Sequence, residues 1–400
     1  MVAPDLPIGD RIRHHRGSRR QDVVAGLVGI APDYLSQIER GKKLPSLPIL
    51  YAIARELGVS AAALLSASPP TDGQDSDNTG PGIVQALMGY GPPRSAPASH
   101  PDDLYERVAA AWQAWQGSPT RFTDVAPLLP DLISDVEHLA RSLRTPADAP
   151  LRREALRASA DLYFLLRSYL RRTGRPDLSM MAADRAVRAA EDADDPLRIA
   201  AAQWNLGHAL LSSHEVDGAE QVALLAVDAL ASAPLRGDER VAMTGALHLV
   251  AVVAAARRRD WSAARDRLRK HATPAARQCG DDSNIMWTVF GPTNVELHMV
   301  SVELEAGEAS EALRMADEIN TRALPSIERG ATFMLEVARC YDLRREDAAV
   351  LLHLLELEEV APEDLARNPM ARDLIRGVLR RARAMHARQA QRLAERIGVL

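Results

Sequence analysis

A chain of 400 residues, 46% hydrophobic but only 4% aromatic, is long enough for two or three domains with cores of Ala, Leu and Val. That composition excludes a disordered protein, and two lone cysteines, Cys279 and Cys340, exclude a disulfide scaffold and point to a reduced, cytoplasmic compartment. The net charge of −5 gives no general attraction to nucleic acid, yet residues 1–66 hold nine Lys/Arg against six Asp/Glu, so +3, which leaves −8 for the remainder.

Ala and Leu favour helix and β-branched alternation is scarce, so the expected fold class is all-α. The first helix runs from Ile8 to about Arg16, and a second opens at Gln21, carries Val24, Ala25 and Leu27, and turns at Gly29. A third places Tyr34, Leu35 and Ile38 on one face at spacings of three and four. Its other face shows Pro32, Asp33, Ser36, Gln37 and Arg40, and Gly41 stops it. Two short helices joined by a tight turn, with polar side chains out on the second, form a helix-turn-helix suited to the DNA major groove. Ser46 to Gly58 gives a fourth helix with the stripe Leu47, Leu50, Ile53, Ala54 and Leu57, and Ser60 caps a short fifth through Leu64 and Leu65. Residues 1–66 are thus one five-helix domain. A linker rich in Pro, Gly, Ser and Asp follows over 67–103, interrupted by Ile83 to Tyr90, which is apolar enough to dock.

From residue 104 to 400 helical periodicity is nearly continuous. Leu206-Gly207, Ala219, Ala223 and Ala226 stand at the offsets of a tetratricopeptide repeat, where small residues let the two helices of a hairpin cross closely. Similar units centre on Ala264 and Ala312, with looser ones at Ala183 and Ala348. The periods, roughly 45 and 48 residues, exceed the ideal ~34. The reading is a solenoid of five or six helical hairpins capped by one Arg-rich helix from about Pro369 to Ile397, with an irregular helical bundle as the alternative. No apolar run approaches the ~18–20 residues of a membrane span, so no membrane partner is expected.

Base reading would fall to Gln37, which can pair bidentately with adenine, and to Asp33, which can accept from cytosine, beside Pro32 and Ser36. Gln21 would lie near a phosphate or the first base, and Arg40, Lys42 and Lys43 would grip phosphate. In the solenoid, the first helix of each hairpin lines the concave face, which turns Asn205, His208 and Ser212, and Asn294, His298 and Ser301, toward a ligand. An inward Asn offers a donor and an acceptor to a peptide amide, although Asn205 and Asn294 could equally close local hydrogen bonds. Trp204, Trp261 and Trp287 are read as core, and Gly291-Pro292 breaks a helical pattern before Thr293 or Asn294 caps the next helix. No phosphate-binding glycine loop, HExxH, GxSxG or Cys/His metal spacing occurs, so no enzyme, cofactor or metal is expected.

Gln21, Val24-Ala25, Gly29-Ile30, Tyr34-Leu35-Ser36, Ile38 to Gly41 and Pro45-Ser46 resemble the phage-repressor, or xenobiotic-response-element, type of helix-turn-helix over roughly Ile8 to Leu65. Ala31 departs from that pattern, standing where a Ser or Thr usually caps the recognition helix. The resemblance implies that Glu39 pairs with an arginine of the first helix, best matched by Arg16. With its repeat-like body the chain also resembles the RRNPP group of peptide-sensing regulators and many actinobacterial regulators. That implies double-stranded DNA with a pseudo-palindromic operator as partner, a homodimer, and a peptide or small-molecule effector in the helical groove. Two other functions stay open on sequence: a DNA-tethered scaffold for a partner protein, and a soluble adaptor with no operator.

Overall fold

The computed structural model describes residues 8–17, 19–57, 59, 64, 81–90, 100–282, 284–321, 324–381 and 384–399, and among these there is no strand. The chain divides into two compact units, 1–78 and 79–400.

In the first unit, α1 (Ile8–Arg16), α2 (Gln21–Val28), α3 (Pro32–Glu39) and α4 (Leu47–Leu57) pack around Ile12, Val24, Ala25, Leu35, Ile38 and Ile53. α2 ends on left-handed Gly29, and Gly41, at φ 68°, turns the chain out of α3. Leu27 does not join this core: it is 59% exposed, and Val28, four residues after Val24, takes the inward position of the next turn. The fifth helix expected over residues 60–65 lies outside the described residues except for Leu64, which is fully buried in this core.

The second unit opens with α5 (Pro81–Met88), inside the stretch read as linker. It packs on α8 (Leu129–Ser142), burying Ile83 and Leu87, and the Leu87 carbonyl accepts from Arg185 Nη2 at 2.9 Å. The remainder of that stretch, residues 67–80 and 91–99, lies outside the described residues. Then come α6 (Pro101–Gly117), α7 (Arg121–Val125) and α8, followed by a run of antiparallel pairs: α9 (Ala149–Arg172) with α10 (Pro176–Asp192), and α11 (Pro196–Ser212) with α12 (Val216–Ser232). α13 (Gly237–Arg257) pairs with α14 (Trp261–Arg267), which continues through a π-helical turn at Leu268–Ala272 into α15 (Thr273–Cys279). α16 (Pro292–Ala306) pairs with α17 (Ala309–Ala316), and α18 (Ile327–Leu343) with α19 (Asp347–Val360). The helical-hairpin reading therefore holds over residues 149–360.

The fourth residue of each second helix sets the hairpin frame. Ser179, Ala219, Ala264, Ala312 and Val350 occupy it, and all are buried. Two sequence frames therefore shift: Ala183 is buried one turn later, while Ala348 is exposed and Val350 takes its expected place. Close helix approach is visible at Gly207, where a Cβ would lie 2.8 Å from Val250 Cγ1.

Beyond α19 the single terminal helix expected from Pro369 to Ile397 is instead two, α21 (Pro369–Arg381) and α22 (Ala384–Arg396), after the short α20 (Pro362–Arg367). Both pack on α19 and on each other. The expectation that no apolar run could span a membrane also needs correcting. α13, 21 residues long, is apolar enough by length and composition; its apolar side chains, Met243, Leu247, Val250 and Val252 among them, are buried within the unit.

Candidate functional site

The first unit carries the residues expected to meet DNA. α3 starts at Pro32, whose fixed φ suits a first helical position, and its N-cap Ala31 offers no side-chain oxygen to the first turn. Pro32, Asp33, Arg40, Lys42 and Lys43 are exposed, and Ser36 and Gln37 are half-buried, so the outer face of α3 and the turn after it present these seven together. Gln37 Nε2 donates to Asp33 Oδ2 at 2.6 Å. That bond holds both groups over the outer face and leaves the glutamine one N–H and its carbonyl oxygen, the pair a bidentate adenine contact needs. Arg40 Nε donates to the Ser36 carbonyl at 3.1 Å, and Lys43 Nζ lies 5.4 Å from the centre of the Tyr34 ring.

Gln21 opens α2, but its side chain turns inward rather than toward a phosphate or base. Its Nε2 donates to Glu39 Oε2 at 2.9 Å. Glu39, 5% exposed, also takes Arg16 Nε at 2.7 Å and Arg16 Nη2 at 2.9 Å, so the ion pair expected between α1 and α3 is present and bidentate. This network fixes α1, α2 and α3 to one another beneath the outer face.

The second unit contains a partly open cavity of about 290 Å³. Its walls come mainly from first helices of hairpins. α9 supplies Arg167, Arg171 and Arg172; α11 supplies Trp204 and His208; α16 supplies Asn294 and His298; α18 supplies Glu328 and Arg329. α6 adds Trp112 and Gln116, and the loop before α16 adds Trp287. Four arginines thus face one carboxylate. Glu328 is already shared: it accepts from Arg121 Nη1 at 2.9 Å and from Arg172, with Arg171 Nη2 at 3.8 Å. Among the described residues no carboxylate stands within ion-pair distance of Arg167 or Arg329, and the Nε atoms of Arg171, Arg172 and Arg329 are buried without a hydrogen-bond partner. Burial, with Arg171 alongside, brings Arg167 down to about 9, and burial with Arg121 alongside brings Arg171 down to about 10. The same desolvation and positive surroundings push His298 down to about 3 and hold His208 well below the usual imidazole range, so both rings are neutral.

Of the six residues expected to face a ligand, His208, Asn294 and His298 line the cavity. Asn205 does not: it is fully buried, accepting Arg167 Nε at 2.8 Å and donating to the Ala201 carbonyl at 2.9 Å, so it orients a lining arginine. Ser212 and Ser301 also lie off the cavity, with Ser212 Oγ on the His208 carbonyl and Ser301 Oγ on Glu336 Oε1 at 2.6 Å. Trp204 and Trp287, read as core, line the cavity instead, while Trp261 packs beside the buried α13–α15 cluster. The arginines escaped the sequence reading, although Arg167, Arg171 and Arg172, spaced at four and five at the apolar end of their helix, were a legible signal.

One wall is a strained loop. Met286, Trp287 and Val289 have φ of 51°, 60° and 55°, values that cost a side-chain-bearing residue and persist only when neighbours enforce them. Gln116 Nε2 holds the Trp287 carbonyl at 3.0 Å, Asn284 spans Gln116 Oε1 and the Val289 N–H, and the Trp287 indole stacks on Trp112 at 5.3 Å. The Gly291-Pro292 break places Pro292 at the start of α16; its cap comes from neither Thr293 nor Asn294 but from Asp281, which takes the Thr293 N–H at 3.0 Å and hydroxyl at 2.8 Å.

Comparison with known proteins bears chiefly on the first unit. A helix-turn-helix family model matches residues 18–64. The uncharacterized helix-turn-helix-type transcriptional regulator y4dJ of Sinorhizobium fredii is 39% identical over 62 residues, covering 16% of this chain and 75% of that protein. Among solved structures, Bacillus thuringiensis PlcR in complex with the peptide PapR7 and DNA aligns over 86% of this chain and 98% of its own, with 10% identity and a TM-score of 0.30. Apo ComR from S. thermophilus aligns over 93% and 98% at 12% identity and a TM-score of 0.34, and apo ComR from Streptococcus vestibularis over 98% and 98% at 13% and 0.27. Superpositions this loose leave the second unit to be understood from its own geometry.

Proposed function

This chain belongs to the helix-turn-helix family of transcriptional regulators, and we propose that its second unit is an effector module controlling how the first engages DNA. DNA binding itself follows from the family. The finer assignment gives base reading to Gln37 and Asp33, supported by their mutual hydrogen bond on the exposed face, with Pro32 and Ser36 beside them. Arg40, Lys42 and Lys43 anchor phosphates, and Gln21 acts through Glu39 rather than on DNA directly.

The observation that carries effector control is the cavity: four arginines against one shared carboxylate, with three arginine Nε atoms left unpartnered. Folding tolerates such uncompensated buried charge only when something else uses it. An effector that binds there shifts the population of helix arrangements. As a homodimer on a pseudo-palindromic operator, with half-sites about one helical turn apart, the protein would convert that shift into a change of reader spacing. Such a regulator works in the cytoplasm, beside the DNA.

Gel shifts test the reader. Arg40→Ala weakens binding to all sequences alike, whereas Gln37→Ala relaxes specificity at one position by roughly 1–3 kcal/mol. Unchanged binding in both would return the chain to the adaptor reading. The scaffold reading draws on a separate feature, an apolar groove of about 350 Å³ between α11 and α12 where Leu225 is 59% exposed. A partner protein captured in that groove, with DNA affinity indifferent to any cavity ligand, would favour it.

A further inference from the structure

The geometry points to a small planar organic oxyanion, a carboxylate or a phosphate on a ring, as the occupant of the α9–α18 cavity; the inference rests on the effector-module reading above. The charge argument comes first. A guanidinium presents its N–H groups as a flat fork that matches a carboxylate or phosphate edge. Among the described residues Arg171 makes no hydrogen bond and meets Glu328 only at 3.8 Å, while the Arg329 guanidinium meets the His298 ring at 3.4 Å and is attracted by the buried Glu336 without an ion pair. Arg167 is held in place by Asn205, with its Cζ 5.4 Å from the centre of the Trp204 ring. These guanidinium groups come from two helices, α9 and α18, that face one cavity, where Glu328 and Glu336 offset only part of their charge.

The remaining wall defines the body of the ligand. Trp112, Trp204 and Trp287 give indole surface, which favours a flat ring over an aliphatic chain. About 290 Å³ corresponds to roughly ten water volumes, room for a ring system with one acidic group. Two acceptors complete the description. Asn294 Oδ1 is buried without a partner. His298 Nδ1 lies 2.8 Å from the Asn294 carbonyl, which can only accept, so Nδ1 carries the ring proton and Nε2 is left as an acceptor. A ring O–H or N–H on the ligand satisfies either. An extended peptide fits less well, since Asn205, the residue best suited to its amides, is occupied by Arg167 and the Ala201 carbonyl.

Calorimetry on the full chain with three matched probes tests this: naphthoate, naphthyl phosphate and the uncharged naphthamide. At least one of the two acids is expected to bind about tenfold or more tightly than the amide, the value of one or two charge-assisted hydrogen bonds, and which acid wins separates carboxylate from phosphate. Arg171→Gln should abolish that preference while leaving the thermal midpoint level or higher, because Arg121 and Arg167 repel its charge, and Arg329→Gln, on the other helix, should abolish the preference as well. A merely structural arginine would lower the midpoint instead. Amide binding equal to the acids, or an acid preference intact in both variants, overturns the ligand class. DNA affinity measured with and without the winning acid is read separately: acid preference with no change in DNA affinity sinks the control reading and leaves the ligand class standing.

Discussion

At the scale of single residues, the contrast between Glu39 and Gly9 shows what a sequence can declare. Glu39 announces its partner through the family resemblance, which implies an ion pair with an arginine of the first helix, and Arg16 supplies it. Gly9 announces nothing, since a glycine near the start of a helix reads as indifferent. In the structure it is where α1 crosses the end of α3, and a Cβ there would lie 2.2 Å from the Ile38 carbonyl oxygen and 2.9 Å from that of Glu39. No flexible side chain can yield at that point, because both atoms are backbone. Gly9→Ala is therefore expected to cost about 1–3 kcal/mol by overpacking and to loosen the Arg16–Glu39–Gln21 network. Hydrogen exchange should show faster opening of α1 and α3 with α9 to α19 unchanged; equal protection in variant and parent would refute the close-approach account. The cavity arginines lie between these cases. Their helical spacing was legible, but nothing local distinguishes an arginine left unpaired inside from one solvated outside.

At the scale of elements, the hairpins were legible where a small residue marks the crossing and obscure at the turns that join them. Ala219, Ala264 and Ala312 declare themselves because helix packing requires a short side chain there. Each hairpin turn, however, repeats one backbone feature with different residues. Gly174, His214, Arg259, Gly307 and Arg345 all lie two residues before the second helix, and all are left-handed, with φ from 62° to 88°. Glycine fills only two of the five positions, so no residue pattern betrays the repeat. The three others bear a Cβ in a conformation that costs roughly 1 kcal/mol relative to glycine. Arg259→Gly is expected to raise the denaturation midpoint by an amount equivalent to about 0.5–1 kcal/mol, less the added entropy of the unfolded chain. Arg259 engages no carboxylate among the described residues, so no lost ion pair should offset the gain. A lowered midpoint would mean that the side chain contributes more than its backbone strain costs.

At the scale of the whole second unit, the decisive contact joins residues more than 200 positions apart, which no local pattern could reveal. A run of hairpins ordinarily gains stability from nearest neighbours alone and can open from either end. Here α7, near the beginning of the unit, grips α20, near its end. Arg121 is fully buried, with Nε and Nη2 on Asp364 at 2.9 and 2.6 Å, Nη1 on Glu328 at 2.9 Å, and its Cζ 4.0 Å from the centre of the Trp115 ring. The Phe122 N–H donates to Glu363 at 2.7 Å, and the Thr123 hydroxyl does so as well. Glu328 thus serves two masters: it bonds the closing Arg121 and also Arg172 on the cavity wall. An anion arriving at Arg171 and Arg172 competes with Glu328 for the same guanidinium groups, which ties occupancy of the cavity to the strength of the closure. Arg121→Met leaves Asp364 buried without its cation, a loss of roughly 3–5 kcal/mol, whereas Arg121→Met with Asp364→Leu removes both charges and should recover most of it. Calorimetric unfolding reads the consequence: the single variant should separate the transition of residues 327–399 from that of residues 101–306, and the double variant should bring them together again. If the single variant still unfolds in one step at the parent midpoint, the closure does not bind the two ends into one cooperative unit, and Glu328 has nothing to transmit.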